Sequence, residues 1–310
     1  MRYDVWGLGT LAMDVLMKVD ALPAEDGFCI VEESQSQPGG SGTNVMVQLA
    51  RLGAKCGYSG AVGDDALGRQ VLDSLKREGV DTSAMVIRPG MTTLHTDIVI
   101  DKEGRKFIML NMGEAFASLK SEEVPEPKLR EAKVFYTDLL PQKPSVEALK
   151  KARRAGVSTV FNLQVGLSTM KGLGVSREEI LQALAYVDVF APCREGLYQL
   201  TGMESLEECR DFLRKYCNGI LLFTLGTQGS VAYGPAGQGS WPVKVQAEKI
   251  QTVDTTGAGD SYIGGFIYSY FLEKRELKEA MKFASACAAY TCTGLGARFS
   301  PTLEEVKNFA

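Results

Sequence analysis

Val253-Asp254-Thr255-Thr256-Gly257-Ala258-Gly259-Asp260 stands between a short apolar segment, Ile250–Val253, and the apolar-rich stretch Asp260–Leu272. The spacing predicts a strand, a loop and a long helix, in that order. The small residues let the backbone turn sharply and leave its N–H groups uncovered. Those donors fall at a helix N-terminus, where the macrodipole also favours an anion. Asp260 falls in the first turn, beside whatever the amides bind. A carboxylate next to an anion hole is the arrangement phosphoryl transfer needs. The donors hold the charge on the transferring group, and the carboxylate takes the proton from the attacking hydroxyl. An acidic residue complementing a helix dipole after a glycine turn would fit the same eight residues, so the octapeptide alone leaves both readings open.

Working outward, strands are expected at Val134–Thr137, Val157–Phe161, Val187–Phe190 and Ile220–Leu225, alternating with helices at Ser145–Ala155, Glu178–Tyr186 and Ser205–Tyr216. Before them come a strand at Tyr3–Leu8, a helix at Thr43–Leu52 closed by Gly53, a strand at Cys56–Val62 and a helix at Ala66–Glu78. After them, Gly229–Tyr233 and Trp241–Val245 read as an antiparallel pair, and helices follow at Leu277–Thr293 and Leu303–Phe309. This alternation predicts an α/β fold with a mostly parallel sheet covered by helices on both faces. Two regions break the pattern. Leu11–Glu33 holds an extended segment at Asp14–Val19. Thr92–Ile100 and Arg105–Asn111, joined by the turn Asp101–Gly104, form a hairpin. Together they read as a small β-appendage.

Composition narrows the function. The chain has 310 residues, 45% hydrophobic and 23% charged, with a formal net charge of −4. No basic excess is present to neutralise a nucleic-acid backbone, so nucleic acid is not expected as a partner. Apolar runs such as Ile220–Phe223 are far too short to span a bilayer, and no membrane association is expected. The N-terminus MRYDVWGLG lacks a basic stretch followed by an apolar run. The 7 cysteines are odd in number and scattered without a C-x-x-C pair, which suits reduced thiols in the cytoplasm. The single histidine, His95, excludes a histidine-rich zinc site and reads as a plain strand residue.

Two further glycine segments carry candidate chemistry. Gly7-Leu8-Gly9-Thr10-Leu11-Ala12 matches a dinucleotide-binding turn, but the residues after Gly9 alternate like a strand, and Pro23 limits any helix. No Gly-Lys-Ser/Thr occurs, so a Walker A loop is absent. Gly39-Gly40-Ser41-Gly42-Thr43-Asn44 starts a helix with short backbone and ends in an amide that both donates and accepts. Asp14, on the appended strand, is placed to accept hydrogen bonds from hydroxyls.

Taken together, these segments resemble the ribokinase-like carbohydrate kinases of the PfkB family. Gly9 and Asp14, Pro38–Val45, the G-x-V-G-x-D-x-x-G-like stretch Gly60–Gly68, Thr224-Leu225-Gly226-Thr227-Gln228-Gly229 and Asp254–Asp260 occur in the family's order along nearly the whole chain. The resemblance implies a three-layer α/β/α domain (residues 1–10, 37–90 and 113–310) and a small β-sheet lid (11–36 and 91–112). It also implies an ATP-dependent kinase for a hydroxyl of a sugar or sugar derivative, with a nucleoside as the alternative acceptor. A non-catalytic binding protein on the same fold is the competing class. In the kinase, Asp260 would be the base and Gly257, Ala258 and Gly259 the anion hole. Asp14, Gly39, Gly40 and Asn44 would hold the acceptor, and Thr224, Gly226 and Gly229 would line the ATP site. A monovalent cation such as K+ would sit by Asp254 and the Thr256 carbonyl.

The sequence departs from that family in two places. The N-x-x-E motif that helps organise Mg2+ through water is replaced by Cys193 and Gly196, leaving Glu195 one residue away as the substitute. The asparagine often found two residues before the acceptor-binding aspartate is Ala12, which points away from simple ribose. Asp260 is expected ionised with an ordinary carboxylate pKa of about 3.9. The lid is expected to be mobile without ligand, and its open face suits a homodimer.

Overall fold

The computed structural model describes residues 3–103, 105–237 and 242–309. Strands β1 (Tyr3–Leu8), β2 (Ala12–Val19) and β3 (Val31–Gly39) open the chain. They are followed by β4 (Cys56–Gly63), β5 (Asp81–Arg88), β6 (His95–Ile100) and β7 (Lys106–Asn111). Then come β8 (Ala132–Thr137), β9 (Ser158–Leu163), β10 (Val189–Pro192), β11 (Ile220–Thr224), β12 (Ser230–Tyr233) and β13 (Val243–Val245). A 9-stranded sheet runs β13-β12-β11-β10-β9-β8-β1-β4-β5, and a separate 4-stranded sheet runs β3-β2-β6-β7. In the large sheet every pairing from β11 to β5 is parallel, and β12 and β13 close one edge antiparallel. Parallel strands covered on both faces read as continuous apolar runs. Here Val5 and Trp6, Val134 to Tyr136, Val160 and Phe161, and Leu221 to Phe223 are all fully buried. The expected α/β architecture with a small β-sheet is what the chain adopts.

The glycine segment after β3 sets the first helix, Ser41–Arg51. Gly40 has φ +86°, and a Cβ on it would lie 2.6 Å from the Ala12 nitrogen. Only glycine allows the helix to start against the β1–β2 turn. Among the described residues no helix is long and apolar enough to cross a membrane.

Several expectations need correction. Ile250–Val253 is not a strand: Val253 N–H bonds to the Cys292 carbonyl, at the end of the helix Leu277–Thr291, and its side chain is 56% exposed. Among the described residues the segment pairs with no strand. β5 was unexpected because its sequence DTSAMVIR lies half-buried at the sheet edge, where no apolar run is needed. β3 was also unexpected: VEESQSQPG is polar on both faces and becomes a strand through its pairing with β2. The long helix runs Ala258–Ile267 and finishes in a π-turn at Tyr268–Leu272. Trp241 and Gly104, in the expected second antiparallel strand and hairpin turn, lie outside the described residues.

Candidate active site

Asp260 sits in the first turn of the helix Ala258–Ile267 and is only 9% exposed. Ser41 Oγ donates to its Oδ1, and Asn44 Nδ2 donates to its Oδ2 at 2.9 Å. The helix Ser41–Arg51 therefore delivers both partners of the carboxylate, and two glycine-started helices meet at one acid. Burial pushes the Asp260 carboxyl up to about 6, against the opposing pull of Ser41, Asn44 and the Arg298 guanidinium. The expectation of an ordinary aspartate is thus corrected: the group is removed from water, which disfavours its charge.

The loop before Asp260 is shaped by a close backbone approach and by its own hydrogen bonds. Gly257 has φ +79°, and a Cβ there would lie 2.3 Å from the Ala297 carbonyl oxygen. Asp254 Oδ1 accepts from Thr256 N–H (3.0 Å) and Thr256 Oγ1 (2.7 Å), and its Oδ2 accepts from Gly296 N–H (2.9 Å). The Asp254 carboxylate therefore ties the loop to segment 292–298. Ala258 N–H turns back to the Thr255 carbonyl (3.2 Å), whereas a Cβ on Gly259 would meet nothing within 4 Å. Gly259 faces open space at the helix N-terminus.

Asp14 approaches from the small sheet. On β2 it stands opposite Gln37 of β3 and Thr96 of β6, and Thr96 Oγ1 donates to its Oδ1. A Cβ on Gly39 would lie 2.5 Å from Asp14 Oδ2. Asp14, Gly39, Gly40 and Asn44 are thus gathered around one helix start.

Sequence reasoning missed a second buried acid. Asp138, just past the end of β8, accepts from Thr10 N–H (2.8 Å), Gln164 Nε2 (3.0 Å) and Leu140 N–H (3.1 Å). Burial pushes its carboxyl up to about 7, and the charge of Asp260 adds to the rise. Arg298 was missed as well. The rule that ligands bind beyond the carboxyl ends of parallel strands would have pointed to Asp138 and Gln164, which follow β8 and β9. No motif marks Arg298.

The expected nucleotide segment forms a tight turn between β11 and β12. Gly226 (φ +61°) and Gly229 (φ +83°) supply its backbone freedom, and a Cβ on Gly229 would strike the Val245 carbonyl. Tyr262 Oη donates to Ser230 Oγ at 2.7 Å, fastening this turn to the Asp260 helix. Thr224 Oγ1 donates to the Pro192 carbonyl (3.3 Å), and Cys193 bridges to Thr224. The helix Arg194–Thr201, which carries Glu195, therefore starts beside the turn. Glu195 is exposed and accepts from Gln199 Nε2 at 2.9 Å. No cluster of three or more metal-ligating side chains occurs among the described residues. A lone carboxylate suits Mg2+, which is usually held by one or two carboxylates, its own waters and substrate phosphates. A groove of about 460 Å³ opens at the opposite, amino ends of β9 to β11 and contains none of these residues.

Comparison with known proteins bears on the family and the fold. The family model described as pfkB family carbohydrate kinase matches residues 4–304. Fructokinase-1 of Oryza sativa subsp. japonica is 30% identical, covering 94% of this chain and 94% of its own. An ATP-dependent ribose-1-phosphate kinase of Halopiger xanaduensis is 30% identical over 98% of this chain and 97% of its own. The structure of Arabidopsis thaliana ribokinase complexed with ribose and ATP superposes with a TM-score of 0.84 at 22% identity, covering 100% of this chain and 99% of that one. A match across nearly the whole length, on a fold whose glycine turns converge on one buried aspartate, leaves one assignment: this chain belongs to the pfkB family of carbohydrate kinases.

Proposed function

We propose that the enzyme moves the γ-phosphoryl group of ATP to a hydroxyl of an uncharged sugar or sugar derivative, with Asp260 as general base. One observation carries the reading: the buried Asp260 carboxylate, held by Ser41 and Asn44 at the N-terminus of the helix Ala258–Ile267. The acceptor hydroxyl gives its proton to Asp260 as it attacks phosphorus, and the departing oxygen stays with ADP. The backbone of Gly257, Ala258 and Gly259 faces the charge on the transferring group, with Gly259 giving the phosphate its closest approach. Thr224, Gly226 and Gly229 line the nucleotide.

Asp14, Gly39, Gly40 and Asn44 hold the acceptor. Two acids border it, Asp14 and Asp138, while the Arg298 guanidinium is occupied by Asn44, Thr43 and Ser74. That charge balance favours hydroxyls over a carboxylate or phosphate on the acceptor. A nucleoside is the second reading. It is favoured by Ile108 (51% exposed) and Leu110 (49% exposed), whose register puts them on the same lid face as Asp14 and Thr96. An apolar base would suit that surface.

Mg2+ would be held by the ATP phosphates and, through water, by Glu195, and it supplies charge neutralisation on those phosphates. K+ would meet the backbone carbonyls of Asp254 and Thr256, because the Asp254 side chain is already occupied. The four-stranded sheet acts as a lid that closes over the acceptor and excludes water. Its other face, with Phe107 (58% exposed) and Met109 (45% exposed), suits a second copy of the chain in a homodimer. The 7 free thiols suit a reducing, cytoplasmic setting.

The test is Asp260→Asn assayed with ATP and a panel of fructose, ribose, amino sugars, sugar acids and nucleosides. Turnover should fall by about 10²–10⁴-fold with ATP affinity little changed. In the unaltered enzyme the base must be ionised, and its pKa lies near 6. Rate should therefore be level at neutral pH and fall about tenfold per unit once pH drops below about 6. Full activity in Asp260→Asn would remove Asp260 from the mechanism.

A further inference from the structure

Arg298 lies outside every motif of the sequence, on the segment that follows the helix Leu277–Thr291. Its guanidinium reaches back under the start of the helix Ser41–Arg51. Nε donates to Asn44 Oδ1 (3.1 Å), one terminal nitrogen donates to Ser74 Oγ (3.0 Å), and the other donates to Thr43 Oγ1 (3.0 Å) and the Gly39 carbonyl (3.4 Å). The backbone is held too, since Arg51 donates to the Arg298 carbonyl at 2.6 Å while its other nitrogens pair with Glu78. Burial pushes the guanidinium pKa down to about 10, which leaves it charged at neutral pH.

The consequence runs through Asn44. A side-chain amide has a donor end and an acceptor end, and rotation by half a turn exchanges them. With Oδ1 fixed on a cation that can only donate, the NH2 end must face Asp260 Oδ2. In the reversed sense the amide oxygen would face a carboxylate and the NH2 would face a guanidinium, and both contacts would be repulsive. Resting on the reading of Asp260 as base, we propose that Arg298 is a positioning residue. It locks the Asn44 amide so that one end holds the base, and it fixes the glycine turn at Gly39 where the acceptor binds.

Arg298 makes no described hydrogen bond to Asp260, so it acts through Asn44 and through its charge. The groups facing Asp260 are Ser41 and Asn44 from the first helix, Tyr136 and Asp138 at the end of β8, and Arg298. Of the charged members, Arg298 lowers the Asp260 pKa, while the charge of Asp260 raises that of Asp138. Removing the guanidinium should therefore move the base upward.

The experiment has two arms. In the first, the Asp260 carboxyl carbon is followed by NMR in the unliganded protein, with Asp260→Asn assigning the signal. The midpoint should rise by about one pH unit in Arg298→Met, the size expected for loss of one nearby charge. Arg298→Lys keeps a charge without the planar fork and should restore part of that shift. In the second arm, a double-mutant cycle pairs Arg298→Met with Asn44→Ala, assayed with ATP and fructose or ribose, whichever the panel shows to be used. Arg298→Met alone should lower kcat roughly 10–100-fold, as misplacement of a positioned group does. Added to Asn44→Ala, it should change kcat little, because the amide it orients is gone.

An unshifted midpoint together with additive effects would overturn the proposal and make Arg298 a structural cement only. If Arg298→Met does not fold, the Arg298→Lys midpoint and cycle decide alone. Failure of the base reading is separate: it would appear as activity in Asp260→Asn, whatever Arg298 does.

Discussion

The floor of the cleft and the sheet above it are built on opposite plans. Below, the start of the helix Ser41–Arg51 and loop 254–260 bring together polar groups that nearly all have partners. Asp260 is held by Ser41 and Asn44, Asn44 by Arg298, and Asp254 by Thr256 and Gly296. Above, all of β7 is exposed, and it is attached through backbone pairing with β6. Two of the sheet's ion pairs, Lys18–Glu33 and Lys102–Asp20, lie at the surface, where such pairs contribute little. A transition state is stabilised by dipoles already in place, whereas a cover that admits and releases substrate must open at low free energy. The packing fits the division of labour proposed for the two regions.

The comparison can be broken at its stiffest point. Gly257 and Gly259 are two residues apart and play different parts. Gly257 is left-handed with the Ala297 backbone against it, so Gly257→Val strains the chain and collides with it. The expected result is a loss of about 2–3 kcal/mol in stability and roughly a hundredfold or more in turnover. Gly259 meets no protein atom, so Gly259→Ala should leave the melting temperature unchanged or slightly higher, since alanine favours helix over glycine by about 0.5–1 kcal/mol. Turnover should still fall by roughly tenfold, because the added methyl occupies the path of the phosphate. Wild-type turnover in Gly259→Ala would mean that the phosphate does not approach there.

How much of this was legible in the sequence follows the same division. The floor was readable because glycines in positive φ and an acid in a first turn leave a pattern: Gly40, Gly257 and Asp260 stand where expected. The strands buried on both faces announced themselves as apolar runs. β3 and β5 left no such trace, since an edge strand is fixed by its neighbour's backbone more than by its own side chains. Asp138, Gln164 and Arg298 escaped for another reason. They reach the site from distant positions in the chain, 128 residues from Thr10 to Asp138 and 254 from Asn44 to Arg298, and no local spacing encodes such an encounter. The environment that lifts Asp260 to about 6 is likewise a product of packing.

The lid offers a milder test. If it closes on the acceptor, amide exchange in Leu11–Val31 and in β6 and β7 should slow by about tenfold or more when a good acceptor and an unreactive ATP analogue are present. β8, β9 and β10 should change little, because their exchange already requires deeper opening. The same measurement addresses the homodimer. A partner lying on the Phe107–Met109 face predicts that protection of β7 in the unliganded protein falls on dilution, in step with a halving of the mass by light scattering. Uniform protection, or a concentration-independent single-chain mass, would count against the lid and the dimer respectively.

The smallest effect is expected at the boundary between the two plans, at Glu195. Cys193 caps its helix, with Sγ accepting from Gly196 N–H at 3.3 Å, so the thiol does the work of a capping oxygen and is not offered to a metal. Glu195 leans against Gly166, where a Cβ would lie 2.3 Å from its Oε1, and its contact with Gln199 fixes its direction. Such an acid has two possible uses: complementing the helix dipole, or ordering water around a cation carried by ATP. The second use requires proximity to the nucleotide, which the Cys193–Thr224 bridge would provide for the ATP site proposed at Thr224, Gly226 and Gly229. Glu195→Gln keeps the shape and removes the charge. If Glu195 orders the metal's water, the Mg2+ concentration for half-maximal rate should rise by roughly 3–10-fold and turnover should fall modestly, with acceptor KM unchanged. A dipole role would instead appear as a small loss of stability, since such charges contribute only about 0.3–1 kcal/mol, with a magnesium titration that overlays the wild type. In that event the phosphates hold the metal without help from this helix, and the loss of the family's acid at Gly196 has no replacement in this chain.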